Sequence, residues 1–225
     1  MRNVVSNSIT LYFQEFWKLI LLSFCIYVPL LLLHAVIVNS IYQATRFSEY
    51  PGLAGDMANG IFMIVFLTIA QVPFIKFTLL DMDGEEKPLK KSISFALDKL
   101  IPIYIFACLY AIFIFIGGLF FVIPGVIILL LFYFVPYFIA DNVKGFKSAI
   151  KKSVKFMKKN VFKATVIILL LMIIQLLFEN ILVYLLTFYT NVYFVLLLIK
   201  IIFLMFLLPL QTIIITNVFN QWKPV

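Results

Sequence analysis

The chain contains an uncharged run of 41 residues, 100–140, which constrains its fold more than any other feature. As a helix with a rise of about 1.5 Å per residue, the run would be about 62 Å long, enough for two crossings of a hydrocarbon core about 30 Å thick. Gly117-Gly118 and Pro124-Gly125 lie near its middle and favour a turn there. The run therefore predicts a helical hairpin that crosses a membrane twice.

The composition places the rest of the chain in a membrane as well. Only 12% of the residues are charged and the mean hydropathy is +1.13, whereas about a quarter of the residues in a soluble globular domain are charged. Further apolar stretches bring the predicted crossings to six, in three hairpins: 19–38, 60–80, 100–123, 126–140, 164–186 and 192–216. We therefore predict an all-α polytopic membrane protein with one integral membrane domain over residues 1–225.

Basic residues are distributed unequally between the two ends of these spans. Sixteen Lys and Arg lie on the side that carries both termini, whereas Arg46 alone lies between spans on the opposite side. Because cytoplasmic loops are enriched in Lys and Arg, this asymmetry predicts a cell-membrane protein with both termini cytoplasmic. The net charge of +8 is concentrated in these short segments. We therefore expect anionic lipid headgroups, and not nucleic acid, as its partner.

An amphipathic stretch precedes each predicted hairpin, and the clearest covers residues 144–163. Apolar residues fill one helical face of this stretch and lysines fill the other. Such a helix is expected to lie in the cytoplasmic membrane interface with its apolar face among the lipids. Its lysines are the predicted contacts for anionic headgroups: Lys147, Lys151, Lys152, Lys155, Lys158, Lys159 and Lys163.

The three hairpins resemble one another. In the weaker amphipathic stretch before the first hairpin, one face carries Val5, Ile9, Tyr12, Phe13 and Phe16. A proline recurs late in each returning helix, at Pro73, Pro136 and Pro209. These features indicate a weak internal repeat, although spans of similar composition also resemble one another without one. The predicted repeat units are residues 1–80, 81–140 and 141–225.

Three short motifs resemble those of a known membrane family. They are residues 117–127 (GGLFFVIPGVI), 134–137 (FVPY) and 145–153 (GFKSAIKKS). In this order they resemble the bacterial membrane domain that is fused to some glycerophosphoryl diester phosphodiesterases, and its stand-alone six-helix relatives. The resemblance implies a six-helix membrane fold. It implies no activity, because the fused enzymes carry their catalysis in a separate soluble barrel, to which nothing in these 225 residues corresponds.

The sequence has no pattern typical of a catalytic, cofactor or metal site. His34 is the single histidine, which excludes His-based metal clusters and Ser-His-Asp triads. The acidic stretch 81–86 is the densest group of carboxylates, but its glycine does not match the position required in an EF-hand loop. We interpret this stretch as a solvated turn before a helix that begins at Pro88. Metal ligands of an enzyme that acts on lipid headgroups are the alternative.

Glu179 and Lys200 each lie inside an apolar span. The two positions are symmetric about the short turn at Tyr189-Thr190, so antiparallel helices would bring both side chains to the same depth, about 12 Å from the outer surface. Because isolated charges at that depth are expensive, we predict an intramembrane ion pair, with Gln175 and Asn180 as polar neighbours. A structural role for this pair and a place on a substrate or proton path are both open.

Two classes of function follow from these features. The first is a non-enzymatic accessory or regulatory membrane protein, whose basic helices engage anionic lipids or dock a partner membrane protein or a second copy of the chain. The alternative is a transporter or exporter subunit for a lipid or a small amphiphile. The alternative predicts a polar cavity near Glu179 and Lys200, and the accessory role does not require one.

Overall fold

A computed structural model of the chain describes residues 2–190 and 192–223. These residues form α-helices joined by short turns, without β-strands. The helices are α1 (Arg2–Gln14), α2 (Phe16–Ala44), α3 (Leu53–Met82), α4 (Pro88–Asp98), α5 (Leu100–Phe120), α6 (Val122–Phe132), α7 (Val135–Ala140), α8 (Phe146–Thr187) and α9 (Tyr193–Trp222). Six helical segments, with α6 and α7 taken as one, are long and apolar enough to cross a membrane. The predicted all-α fold with six crossings is confirmed, and the chain is a multi-pass membrane protein.

The turn of the central hairpin lies earlier than the sequence predicts. Helix α5 ends at Phe120 and α6 begins at Val122, so Phe121, with φ −162° and ψ 148°, is the turn. Pro124-Gly125, predicted to form this turn, lies inside α6. Proline is tolerated there because the first turn of a helix leaves its N–H groups unpaired.

The six crossings form three units that close into a ring. Each unit has a leading, an outgoing and a returning helix. In the first unit these are α1, α2 and α3, and in the second α4, α5 and α6 with α7. In the third they are residues 146–159 of α8, residues 161–187 of α8, and α9. Each leading helix packs on the returning helix of the preceding unit: α4 on α3, residues 146–159 on α6 and α7, and α1 on α9. The third contact closes the ring, because it joins the first unit to the last.

One buried serine marks the same position in every leading helix. Ser8, Ser92 and Ser153 are each fully buried. Seven residues after each serine the helix is interrupted: at Glu15 (φ −103°, ψ 20°), at Lys99 (φ −102°, ψ 5°) and at Asn160 (φ −120°, ψ 18°). The outgoing helix begins at the next residue. The three units therefore share their local backbone geometry as well as their order.

The apolar face of one leading helix does not lie where the sequence predicts. In α8, Ala149, Phe156 and Met157 are buried in one hydrophobic cluster with Phe138 of α7 and with Phe134, which precedes α7, and they do not face lipid. In α1 the reverse holds, because the helix buries Val4, Ser8 and Tyr12 and leaves Val5, Ile9 and Phe13 exposed. Lipid tails are as apolar as leucine, so the hydrophobicity of a helix face does not indicate whether that face contacts lipid or protein.

Candidate intramembrane binding cavity

A cavity of about 480 Å³ lies inside the ring of spans. Residues of α2, α3, α5, α6, α8 and α9 line it. One face of α8 lines the cavity with Ile168, Leu171, Met172, Gln175, Leu176 and Glu179. The facing surface of α9 contributes Lys200, Leu208, Gln211, Thr212 and Ile215. Most of the wall is apolar, with polar groups at separate levels, as is typical of small-molecule sites.

Glu179 and Lys200 lie together in the cavity wall. The Lys200 ammonium is 2.8 Å from Glu179 Oε2, and the Glu179 side chain is 12% exposed. Gln175 lies one turn away and donates from Nε2 to Glu179 Oε1 at 2.7 Å. Asn180, the other polar residue of this turn, is exposed and bonds the Leu176 carbonyl of its own helix. The structure therefore brings together the predicted pair and Gln175 but not Asn180.

The ion pair lies near the end of the cavity that is farther from the termini. Glu179 is eight residues before the end of α8 at Thr187, and Lys200 is seven residues after the start of α9 at Tyr193. At about 1.5 Å per residue, both lie about 10–12 Å below that end of the helices. Both termini lie at the opposite end, where Asn217 of α9 donates to Ser8 of α1 at 2.7 Å.

Polar groups nearer the termini bond between helices. The Tyr137 hydroxyl of α7 donates to Gln71 Oε1 of α3 at 3.3 Å. Gln211 of α9 donates from Nε2 to the Leu171 carbonyl of α8 at 3.2 Å. The Tyr110 hydroxyl of α5 donates to the Leu129 carbonyl of α6 at 2.6 Å. These bonds join the helices around the cavity in pairs.

Several polar residues of the cavity wall have no distinguishing signal in the sequence. They are Tyr27, Thr68, Tyr110, Tyr133 and Thr212. Tyr and Thr occur throughout apolar spans, both at the membrane interface and between helices, so their residue type alone does not distinguish them. What they share is their position on the inner faces of the helices, and this position depends on how the helices pack together.

An aromatic cluster closes the cavity on the side of the termini. Phe134, Phe138, Phe156 and Phe219 are buried, and the Phe134–Phe156 and Phe138–Phe219 ring centroids are 4.7 and 4.9 Å apart. Beyond this cluster, Lys76 is 8% exposed and donates to the Ala140 carbonyl at 3.0 Å, which caps α7. The path along the ring axis is therefore blocked at this end by packed side chains.

The seven predicted lipid-contacting lysines are all exposed. Six of them lie on the leading half of α8, on the face opposite the buried Ala149, Ser153 and Met157. The seventh, Lys163, lies beyond the interruption at Asn160. We call this group the lysine face. It places positive charge at the end of the bundle that carries the termini.

The acidic stretch 81–86 is not gathered into a metal site. Glu85 pairs with Lys91 at 2.5 Å, and the hydrogen bond from Lys91, together with its charge, lowers the pKa of the Glu85 carboxyl. In the part of the chain that the structure describes, no group of three or more His, Cys, Asp and Glu side chains is placed to hold a metal ion. The alternative with metal ligands in this stretch has no geometric support there.

Comparisons of this chain with protein-family models, with curated proteins and with solved structures find no match. The resemblance to the membrane domain of glycerophosphoryl diester phosphodiesterases therefore stays a prediction. The cavity and the lysine face are the two features of the structure that bear on what the chain does. In chemical terms, the cavity offers apolar walls, one compensated charge pair and hydrogen-bonding groups, which suits a ligand with both polar and apolar parts.

Proposed function

We propose that the chain is a non-enzymatic membrane protein that binds an amphiphile, a lipid or a smaller molecule, in its intramembrane cavity, as the binding subunit of a transporter or exporter. The observation that carries this proposal is the cavity with Glu179 and Lys200 in its wall. Charged groups inside a membrane are costly, and they are most often found on ligand or ion paths.

Two further features support transport over a purely structural cavity. The cavity is lined by residues of all six spans, so a molecule in it would contact several helices at once. It is closed toward the termini by the aromatic cluster, with the ion pair at its far end. A binding site closed on one side is what one state of an alternating-access cycle requires.

The proposal predicts that a tryptophan in the cavity wall will exclude the ligand. Leu176 lines the cavity, and Leu176→Trp should lower the fraction of protein that carries a bound amphiphile by at least tenfold. Native mass spectrometry of the full chain, extracted from its own membrane in mild detergent, measures this fraction. The wild-type chain is expected to carry one bound molecule.

Leu177→Trp is the matched control. Leu176 and Leu177 are adjacent and almost equally exposed, 55% and 57%, and Leu177 is not part of the cavity wall. This variant should keep the bound molecule. A wild-type chain without a bound molecule, or equal retention in both tryptophan variants, would contradict the proposal.

A second candidate function is favoured by the lysine face: an accessory role in which this face holds anionic lipids or docks a partner membrane protein or a second copy of the chain. Replacing Lys151, Lys152, Lys155 and Lys158 with glutamate should remove most of the phosphatidylglycerol that co-purifies, because each lysine near anionic lipid contributes about 1 kcal/mol. The retained lipids are counted by native mass spectrometry at two salt concentrations.

The control reverses four exposed lysines outside this face: Lys87, Lys90, Lys99 and Lys144. Its net charge changes by the same amount, so a general effect of charge would appear in both variants. Equal loss of lipid from the two variants would argue against a specific role for the lysine face. A protein that co-purifies in fixed ratio and is lost only with the first variant would identify a docking role.

A further inference from the structure

We propose that the cavity recognises a zwitterionic group, one that carries an ammonium together with a phosphate or a carboxylate. This inference rests on the proposed function and names its ligand class. It follows from three properties of the Glu179–Lys200 pair: its balance of charge, the hydrogen-bonding capacity that remains on both side chains, and its position in the cavity.

The charges of Glu179 and Lys200 cancel, and this favours a ligand without net charge. Glu179 and Lys200 are the charged residues among those that line the cavity in the described structure, and together they carry no net charge. A ligand with a net charge would bring an uncompensated charge into a medium of low dielectric constant, which is costly. A zwitterion adds no net charge. Its ammonium can pair with Glu179 while its anion pairs with Lys200.

Both side chains keep capacity for such a ligand. An ammonium has three N–H donors, and the contact with Glu179 Oε2 at 2.8 Å accounts for one of them on Lys200. The Lys200 side chain is 39% exposed, so its ammonium is accessible. Each carboxylate oxygen of Glu179 can accept a second bond beside those from Lys200 and Gln175. The bound zwitterion would therefore add bonds without leaving either residue unpaired.

The position of the pair fits a polar group attached to an apolar body. On the side of the pair nearer the termini, the cavity wall includes Met63, Leu67, Met172 and Leu176, which are apolar. A ligand whose charged group binds the pair would place its apolar part against these side chains. A cavity of about 480 Å³ suits a headgroup and the first carbons of its chains.

The test compares two lipids with the same chains, one with a zwitterionic and the other with an anionic headgroup. The full chain in mild detergent is mixed with equal amounts of short-chain phosphatidylethanolamine, which is zwitterionic, and phosphatidylglycerol with the same chains, which is anionic. Native mass spectrometry should show at least tenfold more phosphatidylethanolamine bound. The doubly neutral variant Glu179→Gln with Lys200→Met should lose this preference, whereas Asn180→Leu, a change on the exposed side of the same turn, should keep it.

A charge-exchanged variant separates recognition from folding. Glu179→Lys with Lys200→Glu keeps a neutral pair, so it should keep the preference for phosphatidylethanolamine, with the ligand reversed. Loss of preference in this variant, or equal binding of the two lipids by the wild-type chain, overturns the zwitterion inference and leaves the proposed function intact. Failure of the wild-type chain to bind either lipid, or its native amphiphile, overturns both.

The deacylated, water-soluble headgroup identifies the source of the ligand. If it displaces phosphatidylethanolamine at equal concentration, the site takes a small zwitterion, and the inference holds for that source. If only the intact lipid binds, the ligand is a lipid headgroup, and the inference holds for the membrane source.

Discussion

Replacing Gly125 with alanine is expected to lower the free energy of unfolding by about 2–3 kcal/mol. A Cβ atom at Gly125 would lie 2.9 Å from the Ile114 carbonyl oxygen and 3.0 Å from the Gly118 nitrogen. Both are backbone atoms, so no side-chain rotation can relieve the clash. Helices α5 and α6 would have to separate next to the turn at Phe121. Unfolding by sodium dodecyl sulfate, followed by circular dichroism, measures the loss.

Gly118→Ala provides the control on the facing helix. A Cβ atom at Gly118 would meet nothing within 4 Å, and alanine favours a helix over glycine by about 1 kcal/mol. This variant should therefore unfold at the same or a slightly higher detergent concentration than the wild type. Equal destabilisation by both alanines would show that the close contact between α5 and α6 does not hold the hairpin together.

Replacing Lys200 with methionine is expected to lower the free energy of unfolding by about 2–3 kcal/mol. Removal of one partner of a buried ion pair leaves the other as an uncompensated charge. Here the remaining carboxylate is that of Glu179, which is 12% exposed inside a membrane span. The same detergent titration measures this loss.

The second substitution Glu179→Gln should restore most of this stability, to within about 1 kcal/mol of the wild type, because it removes the charge that Lys200 compensates. The two single changes and the double change form a cycle, and the coupling should be about 1–3 kcal/mol. Additive effects would mean that the two side chains do not interact in the folded protein.

Much of the fold could be predicted from the sequence because the bilayer restricts spanning segments to apolar helices of sufficient length. The six crossings follow from this restriction. Helix ends are harder to predict. A proline is typical of a turn, but it fits the first turn of a helix equally well, and Pro124 lies in the first turn of α6. The faces of α1 and α8 could not be assigned, because hydrophobicity does not distinguish lipid from protein as a neighbour.

The candidate site was predictable only where its residues are exceptional for their surroundings. Two opposite charges at symmetric positions of one hairpin predicted an ion pair, and the structure places Glu179 and Lys200 2.8 Å apart. Tyr27, Thr68 and Tyr133 have no such signal. Their shared position on the cavity wall depends on contacts between units that are far apart in the chain. A single sequence does not show which units are in contact.

The closed ring has a consequence for how the protein is made. Helix α1 is synthesised before the other eight described helices, but the surface on which it packs belongs to α9, so its bond between Ser8 and Asn217 joins residues 209 positions apart. Until α9 has been inserted, α1 contacts α2 but lacks the larger protein surface that it covers in the folded chain. Its exposed Val5, Ile9 and Phe13 can meanwhile rest on the lipid surface. The packing of α1 is thus complete only after α9, which follows it in the chain by about 180 residues, has been inserted.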